Sequence, residues 1–270
     1  MVGPYRIIDG HCHIYPEKIA AKAVAGTDKF YDTTAAGTGT IADLLEQGTG
    51  AGIDHFVVQS VATTPKQVKS INEFIAASVA EHPDKLTGLG TLHPDSEDQA
   101  ADVQHLIELG LHGVKLHPDI QNFKIDDYRC LKIYELCEKA GLPILMHTGD
   151  NRRDLSNPNR LKPVLEAYTD LIIVGAHFGG WSIWEEAAAE LAGYQNLYVD
   201  CSSSMPFMQD ISKIPSLVRA YGTDRVLFGS DYPMWSPAEE LKNFLSFDFT
   251  EEEYRQMFSE NACKVFSLEK

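Results

Sequence analysis

Basic residues are scarce in this sequence of 270 residues. It has 23 lysines and arginines against 39 acidic residues, which gives a formal net charge of −16. Nucleic acids and anionic membranes bind to basic surfaces, so neither is expected as a partner. A small-molecule substrate is the expected partner, and a homodimer is left open.

Paired cysteines and long apolar runs are also missing. The five cysteines are irregularly spaced and form no CxxC pair, which indicates reduced thiols and a cytoplasmic protein. No apolar run approaches the roughly 18 residues of a membrane-spanning helix. The first residues lack the charged and apolar stretches of a signal peptide. With 44% hydrophobic and 23% charged residues, the composition is that of a globular protein with a large core.

Short apolar runs alternate with segments of helical length along the whole chain. Most of the runs are nearly continuous in Ile, Val and Leu, which is typical of parallel strands buried on both faces. The predicted strands are 6–9, 55–60, 86–92, 113–117, 142–147, 171–177, 197–201 and 225–231. Amphipathic patterns between them predict helices, among them 65–81, 97–109 and 128–140.

Eight such units predict a closed (β/α)₈ TIM barrel that forms a single domain over residues 1–270. An open doubly wound sheet is the alternative, but it would need a glycine-rich phosphate loop after the first strand. His11, Cys12 and His13 stand there instead. The long connection 14–40 is predicted to be an elaborated first loop, and 250–270 to form one or two closing helices.

Polar side chains end several of the predicted strands. His11 and His13 end the first, and the alternation of a strand points both to one side while Cys12 points toward the helices. His147 ends the fifth predicted strand. In a barrel all of these ends meet at one mouth, where active sites lie.

Two more polar residues complete this set, since His177 ends the sixth strand and Asp231 the eighth. Three imidazoles and one carboxylate suit a single divalent ion, with zinc expected first and manganese or iron as alternatives. The predicted metal ligands are His11, His13, His147 and Asp231. His177 lies beside them, and Asp231 or His177 is the predicted catalytic acid or base.

Lys115 is predicted to point into the barrel, because Val114 and Leu116 on either side of it face the helices. A buried lysine needs a partner or a lowered pKa. It could pair with Asp231, bind a substrate carboxylate, be paired structurally, or be carbamylated and bridge two metal ions. His117 at the strand end and Arg152 after the fifth strand are further candidate substrate contacts.

The ordered series of strand ends resembles the amidohydrolase superfamily. It comprises Asp-Gly-His-Cys-His, Lys-Leu-His-Pro, His-Thr-Gly, His-Phe-Gly-Gly and Gly-Ser-Asp-Tyr-Pro. The resemblance extends to the amidohydrolase-related branch, which contains aminocarboxymuconate semialdehyde decarboxylase and related non-oxidative decarboxylases. It implies one divalent metal ion held by His11, His13, His147 and Asp231, with His177 as acid or base.

Two features depart from this branch. Lys115 resembles the carbamylated lysine of binuclear members such as dihydroorotase and urease. If it were carbamylated, His147 and His177 would bind a second metal ion. The first loop also lacks the arginine that such decarboxylases are expected to use on a substrate carboxylate, a role in which Arg152 is the candidate replacement.

Three functions remain at this point. The principal hypothesis is a metal-dependent hydrolase in which metal-activated water attacks a small ester, lactone or amide, expected to carry a carboxylate. The alternative is non-oxidative decarboxylation of an aromatic or unsaturated acid at the same site. The third is a non-catalytic metal-binding or scaffold protein that retains the barrel.

Overall fold

The computed structural model describes residues 5–269. Residues 1–4, on which the signal-peptide prediction partly rests, and residue 270 lie outside them. The described residues form eight parallel strands: β1 (Ile8–His13), β2 (His55–Gln59), β3 (in two segments, Leu86–Gly88 and Gly90–Thr91), β4 (Val114–Leu116), β5 (Ile144–Met146), β6 (Ile173–Gly175), β7 (Leu197–Asp200) and β8 (Val226–Leu227). Each lies within or next to a strand predicted from the sequence.

Helices follow the strands along the chain. They are α1 (Glu17–Tyr31), α2 (Ile41–Ala51), α3 (Val68–Glu81), α4 (Gln99–Glu108), α5 (Pro118–Gln121), α6 (Leu131–Ala140), α7 (Pro158–Ala167), α8 (Trp184–Leu191), α9 (Ile214–Tyr221), α10 (Pro237–Phe244), α11 (Glu251–Arg255) and α12 (Asn261–Phe266). The three helices predicted at 65–81, 97–109 and 128–140 are confirmed to within a turn at each end. None of the helices in residues 5–269 is long and apolar enough to span a membrane.

The strands close into a barrel, as predicted. Neighbouring strands pair in parallel from β1 to β8, with β3 bent at Leu89 between its two segments. Two backbone hydrogen bonds of 2.9 Å join β8 and β1 at the seam of the barrel. Gly10 N donates to Phe228 O, and Asp231 N donates to His11 O. Asp9 reinforces the seam, because its Oδ1 accepts from the Ser230 amide at 2.9 Å.

Side chains alternate between the barrel interior and the helices. Val114 and Leu116 belong to the apolar layer beneath the helices, whereas Lys115 lines the interior cavity. On β1 Cys12 belongs to the same outer layer, whereas His11 and His13 on either side of it line the cavity. Both expectations about alternation are therefore confirmed.

Helix α12 closes the end of the barrel at which the strands begin. Phe266 and Val265 of α12 pack against the inward-facing residues Ile8 and Leu145. His112, just before β4, hydrogen-bonds through Nδ1 to Phe266 O at 2.7 Å. The opposite end stays open, and the loops there surround the site.

The connection 14–40 differs from its prediction, because it contains the 15-residue helix α1. Ala20 is the only buried residue of α1, so the helix contributes little to the core. Its last residue, Tyr31, reaches the centre of the site. The long first connection is thus a helical cover over the barrel mouth.

Glu240 on α10 gives the fold a pH dependence that can be tested. It is 1% exposed, and its Oε2 has no hydrogen-bond partner among the described residues. Burial, with Asp9, Asp231 and Glu239 nearby, raises its pKa from 4.5 to about 8. The folded protein therefore holds the neutral acid, and stability present below pH 4.5 is lost as the pH rises toward 8.

We expect Glu240→Gln, which mimics the neutral acid, to unfold at higher urea concentration than wild type at pH 7 and above. The gain should be about 3 kcal/mol at pH 7 and vanish near pH 4.5. Urea titrations at pH 5, 7 and 8 measure it, with Glu81→Gln, at an exposed position of α3, as the control. A gain that does not grow with pH would contradict the assignment.

Candidate metal centre and substrate cavity

The predicted strand-end residues surround one cavity of about 880 Å³ at the open end of the barrel. Its wall includes His11, His13, Lys115, His117, His147, His177 and Asp231. Seven of the eight predicted site residues are therefore brought together. Most are fully buried, and Asp231 and His13 are only slightly exposed.

Three of the predicted ligands point their donor atoms at one another. His11 Nε2 lies 3.2 Å from His13 Nε2 and 3.3 Å from Asp231 Oδ1. His13 Nε2 lies 3.5 Å from the same carboxylate oxygen. These side chains form one of three clusters in residues 5–269 whose donor atoms all lie within 4.8 Å of each other.

Asp200 at the end of β7 contacts the ring of His11 and the backbone of His177. Its Oδ2 lies 2.9 Å from His11 Nδ1, and its Oδ1 accepts from the His177 backbone amide at 3.0 Å. Burial alone would raise the pKa of Asp200, but the two histidines and Ser202 outweigh it and hold the pKa below its ordinary value. The ionised carboxylate fixes the proton of His11 on Nδ1, so that Nε2 presents a lone pair to the cavity.

His147 belongs to a second group of contacts. Its Nδ1 lies 3.1 Å from His177 Nε2, and its ring stacks on His117 with centroids 4.0 Å apart. The hydroxyl of Tyr31 lies 2.9 Å from His117 Nε2 and 3.3 Å from His147 Nε2. Asp119 Oδ2 is 3.8 Å from His147 Nε2. Whether His147 joins His11, His13 and Asp231 around one ion therefore stays a prediction.

Burial keeps these imidazoles neutral. It lowers the pKa values of His13, His117 and His147 well below 6.5, and nearby positive groups, among them Lys115, lower them further. The pKa of His177 is lowered by the same burial, although Asp231 partly offsets it. Neutral imidazole is the form that binds metal ions and accepts protons.

Lys115 lies among the metal-donor atoms. Its Nζ is 2.9 Å from His11 Nε2, and it is 1% exposed. Burial lowers its pKa to about 8, against the attraction of Asp231 and Asp200. An amine that loses its proton this readily can react with carbon dioxide, so the carbamylation hypothesis is compatible with this environment.

Arg152 is the predicted contact that does not line the cavity. Its guanidinium is held by both carboxylate oxygens of Asp150, at 2.7 Å and 2.9 Å, and lies over the rings of Phe30, Tyr31 and Trp181. The carboxylate that it binds is therefore supplied by the protein itself.

Four aromatic rings form one wall of the cavity. Tyr31 contacts Trp181 edge to face at a centroid distance of 5.2 Å, Trp181 contacts Phe207 at 5.0 Å, and Phe207 contacts Trp235 at 5.3 Å. This aromatic row leads from the imidazoles toward Ser203. The Ser203 hydroxyl donates to Asp231 Oδ2 at 2.5 Å and accepts from Trp235 Nε1 at 2.8 Å.

Asp200, Asp119 and Tyr31 were not predicted as site residues. Asp200 ends an apolar strand as Asp231 does, so the strand-end rule could have found it. Asp119 lies in the short helix α5, after the strand end at His117, and carries no such signal. Tyr31 depends on the packing of α1, which no local pattern reveals.

The donor set fits a divalent ion. Nitrogen and oxygen ligands about 2.1 Å from one ion lie roughly 3.0 to 3.5 Å apart, as the atoms of His11, His13 and Asp231 do. His13 Nδ1 is buried without a hydrogen-bond partner among the described residues, so the ring is held only through Nε2. The carboxylate behind His11 is the support that metal-binding histidines require.

A comparison with protein families decides the classification. The sequence profile of the amidohydrolase family matches residues 8–268. The chain belongs to the amidohydrolase family. This membership confirms the resemblance seen in the strand-end motifs, and with the closed barrel it confirms the predicted fold class.

Relatives of this amidohydrolase include decarboxylases. It is 31% identical over 117 residues to 2-amino-3-carboxymuconate-6-semialdehyde decarboxylase of Dictyostelium discoideum, a match that covers 41% of this chain and 32% of that protein. A TIM-barrel protein of Bordetella bronchiseptica has a similar structure (TM-score 0.80, 22% identity, 97% and 99% of the two chains covered).

A decarboxylase of known structure has a similar fold. The 5-carboxyvanillate decarboxylase of Novosphingobium aromaticivorans, solved with manganese and 4-hydroxy-3-methoxy-5-nitrobenzoic acid, has a TM-score of 0.72 at 17% identity. The match covers 98% of this chain and 97% of that one. At these identities the two solved structures establish the shared fold.

Proposed function

We propose that this amidohydrolase removes carbon dioxide, without oxidation, from an aromatic or unsaturated acid in a metal-dependent reaction. One observation supports the proposal above all. The same cavity is lined by a row of aromatic rings and by the metal-donor atoms of His11, His13 and Asp231. The decarboxylases among its relatives support this reaction over hydrolysis. It was the alternative hypothesis from the sequence.

His11, His13 and Asp231 would hold the ion, and His147 is the fourth ligand of the proposed set. Zinc is the ion expected from this donor set, and the manganese of the related decarboxylase makes that ion a second choice. When bound, the ion would supply positive charge that holds a substrate oxygen and stabilises negative charge developing on the substrate.

The chain's own residues would carry out the remaining steps. The aromatic row packs against the substrate ring, and Lys115 or His117 binds a carboxylate. The bond between the carboxyl carbon and the ring carbon breaks, and its electron pair stays on the ring carbon. His177 or Asp231, after taking up a proton from solvent, donates that proton to the carbon, so that carbon dioxide leaves and no water is consumed.

Measurement of carbon dioxide tests this reaction. Metal-loaded protein is incubated with a panel of hydroxylated benzoates and unsaturated dicarboxylates and with lactones and amides of similar size, and release of carbon dioxide is measured in ¹⁸O-labelled water. We expect one equivalent of carbon dioxide per product and no ¹⁸O in the product. Incorporation of ¹⁸O without carbon dioxide would overturn the proposal in favour of hydrolysis.

Hydrolysis is the second candidate because of Lys115. Its Nζ lies beside His11 Nε2, and a carbamate there would place an anion between the cluster containing Asp231 and the pair His147 and His177. Such an arrangement would hold two ions and suit an attacking water molecule, with neutral His177 as base. The substrate would then be a small ester, lactone or amide.

Tyr31→Phe is expected to lower kcat/KM by about 10- to 100-fold, because His117 and His147 both lose a buried hydrogen-bond partner. The metal content should stay unchanged, since Tyr31 lies outside the proposed ligand set. Steady-state kinetics and metal analysis measure the two effects. Tyr128→Phe, at a position 79% exposed, is the control; equal kinetics for both variants would show that the Tyr31 hydroxyl has no role.

A further inference from the structure

Helix α1 forms a long wall of the cavity. The residues of α1 that line it are Lys18, Ile19, Lys22, Ala23, Gly26, Thr27, Phe30 and Tyr31. Their spacing of three and four residues places them on one face of the helix. Lys22 lies nine positions before Tyr31, which corresponds to a rise of about 13 Å along the helix. The cavity therefore extends about that far from the imidazoles.

The outer part of this cavity is apolar. Ile19 and Ala23 of α1 face it from one side, and Ile71 and Phe74 of α3 line it as well. Ile19 is 44% exposed although its neighbour Ala20 is buried. A large aliphatic side chain exposed toward a concave apolar wall is a surface that an apolar ligand would cover.

The charge of the cavity is opposite to that of the protein. Its wall contains three lysines, Lys18, Lys22 and Lys115, and Asp231 as its only carboxylate among the described residues. The whole chain has a net charge of −16. Lys18 and Lys22 make no ion pair within residues 5–269, although acidic residues are abundant. Two adjacent cations at the outer end of an apolar channel would attract an anion there.

We propose that the substrate carries a second anionic group at the end of an extended apolar arm, and that Lys18 and Lys22 bind this group. The inference rests on the proposed function, which places the reacting carboxyl group at the imidazoles. The two anionic groups would then be separated by roughly 13 to 20 Å, the rise of α1 from Tyr31 to Lys22 and Lys18. A carboxylate or a phosphate ester would satisfy this chemistry.

Matched probes test the second anionic group by binding, without the need for turnover. Isothermal titration calorimetry on metal-loaded protein compares 4-(nonyloxy)benzoate with 4-(8-carboxyoctyloxy)benzoate, which ends in a carboxylate. A third probe, 4-(8-phosphonooxyoctyloxy)benzoate, ends in a phosphate ester. We expect at least one of the two anionic arms to bind about threefold to tenfold more tightly than the neutral arm, with a preference that weakens at high salt.

Variants test whether Lys18 and Lys22 cause the tighter binding of the anionic arms. Lys18→Ala combined with Lys22→Ala should abolish it and leave the affinity for the neutral arm unchanged. Lys29→Ala, which removes an exposed lysine of α1 outside the cavity wall, should retain it. Equal binding of all probes to wild type, or a preference that survives the double substitution, would overturn the inference. Loss of carbon dioxide release with the preference intact would overturn only the proposed reaction.

Discussion

Asp231→Asn is expected to lower kcat by at least about a thousandfold if the proposed decarboxylation takes place at this site. The substitution keeps the size of the side chain but removes its charge and its capacity to carry a proton. In the structure Asp231 Oδ1 lies within 3.5 Å of both histidines of β1, and Oδ2 accepts from Ser203. The carboxylate therefore lies where a ligand and a proton carrier are both needed.

Steady-state kinetics and metal analysis on the same preparation measure this effect. Asp154→Asn is the matched control, since Asp154 is an exposed carboxylate that pairs with Arg160 on a loop outside the cavity. It should retain wild-type kinetics. Full turnover by Asp231→Asn would refute the proposed role, for hydrolysis as well as for decarboxylation.

His11→Ala is expected to abolish metal binding at micromolar metal concentrations. The ring supplies Nε2 to the donor group, and its position is fixed by Asp200 on the opposite side. Asp200→Asn should weaken metal binding by about 10- to 100-fold, the range found when such a supporting carboxylate is removed. His147→Ala tests the fourth proposed ligand, and a comparable loss is expected.

Metal content per chain, measured on protein purified without chelator, checks these expectations. About one equivalent in wild type supports the proposed single ion. About two equivalents, together with the added mass of one carbon dioxide on Lys115, would support the binuclear alternative. Unchanged metal content in both His11→Ala and His147→Ala would exclude the site. Far-ultraviolet circular dichroism verifies that the variants remain folded.

The barrel was predictable because its signal is distributed over the whole chain. Each apolar run is bounded by a loop, and runs such as 142–147 are too short and too apolar for anything but buried strands. The strand-end rule then brought His11, His177 and Asp231 to one mouth without knowledge of any distance. Helix α1 was missed, although the residues that it turns toward the cavity recur every three and four positions, as in other amphipathic helices.

The contacts within the site were less predictable than its members. The sequence cannot reveal that the guanidinium of Arg152 forms a salt bridge with Asp150, since both residues lie in a loop whose shape depends on its packing. Nor does it reveal that Lys115 Nζ approaches His11 rather than Asp231. Which partner a side chain contacts depends on its exact position, and the alternation and spacing of residues in the sequence do not determine that position.

The seam between β8 and β1 has a consequence for synthesis of the protein. His11 and His13 leave the ribosome some 220 residues before Asp231 does. The nascent chain therefore cannot assemble this donor group until its last strand has been translated and has paired with its first. Once they pair, the proposed ion, bound across the junction, would favour the closed barrel by mass action, and metal supply would then be thermodynamically linked to the completion of folding.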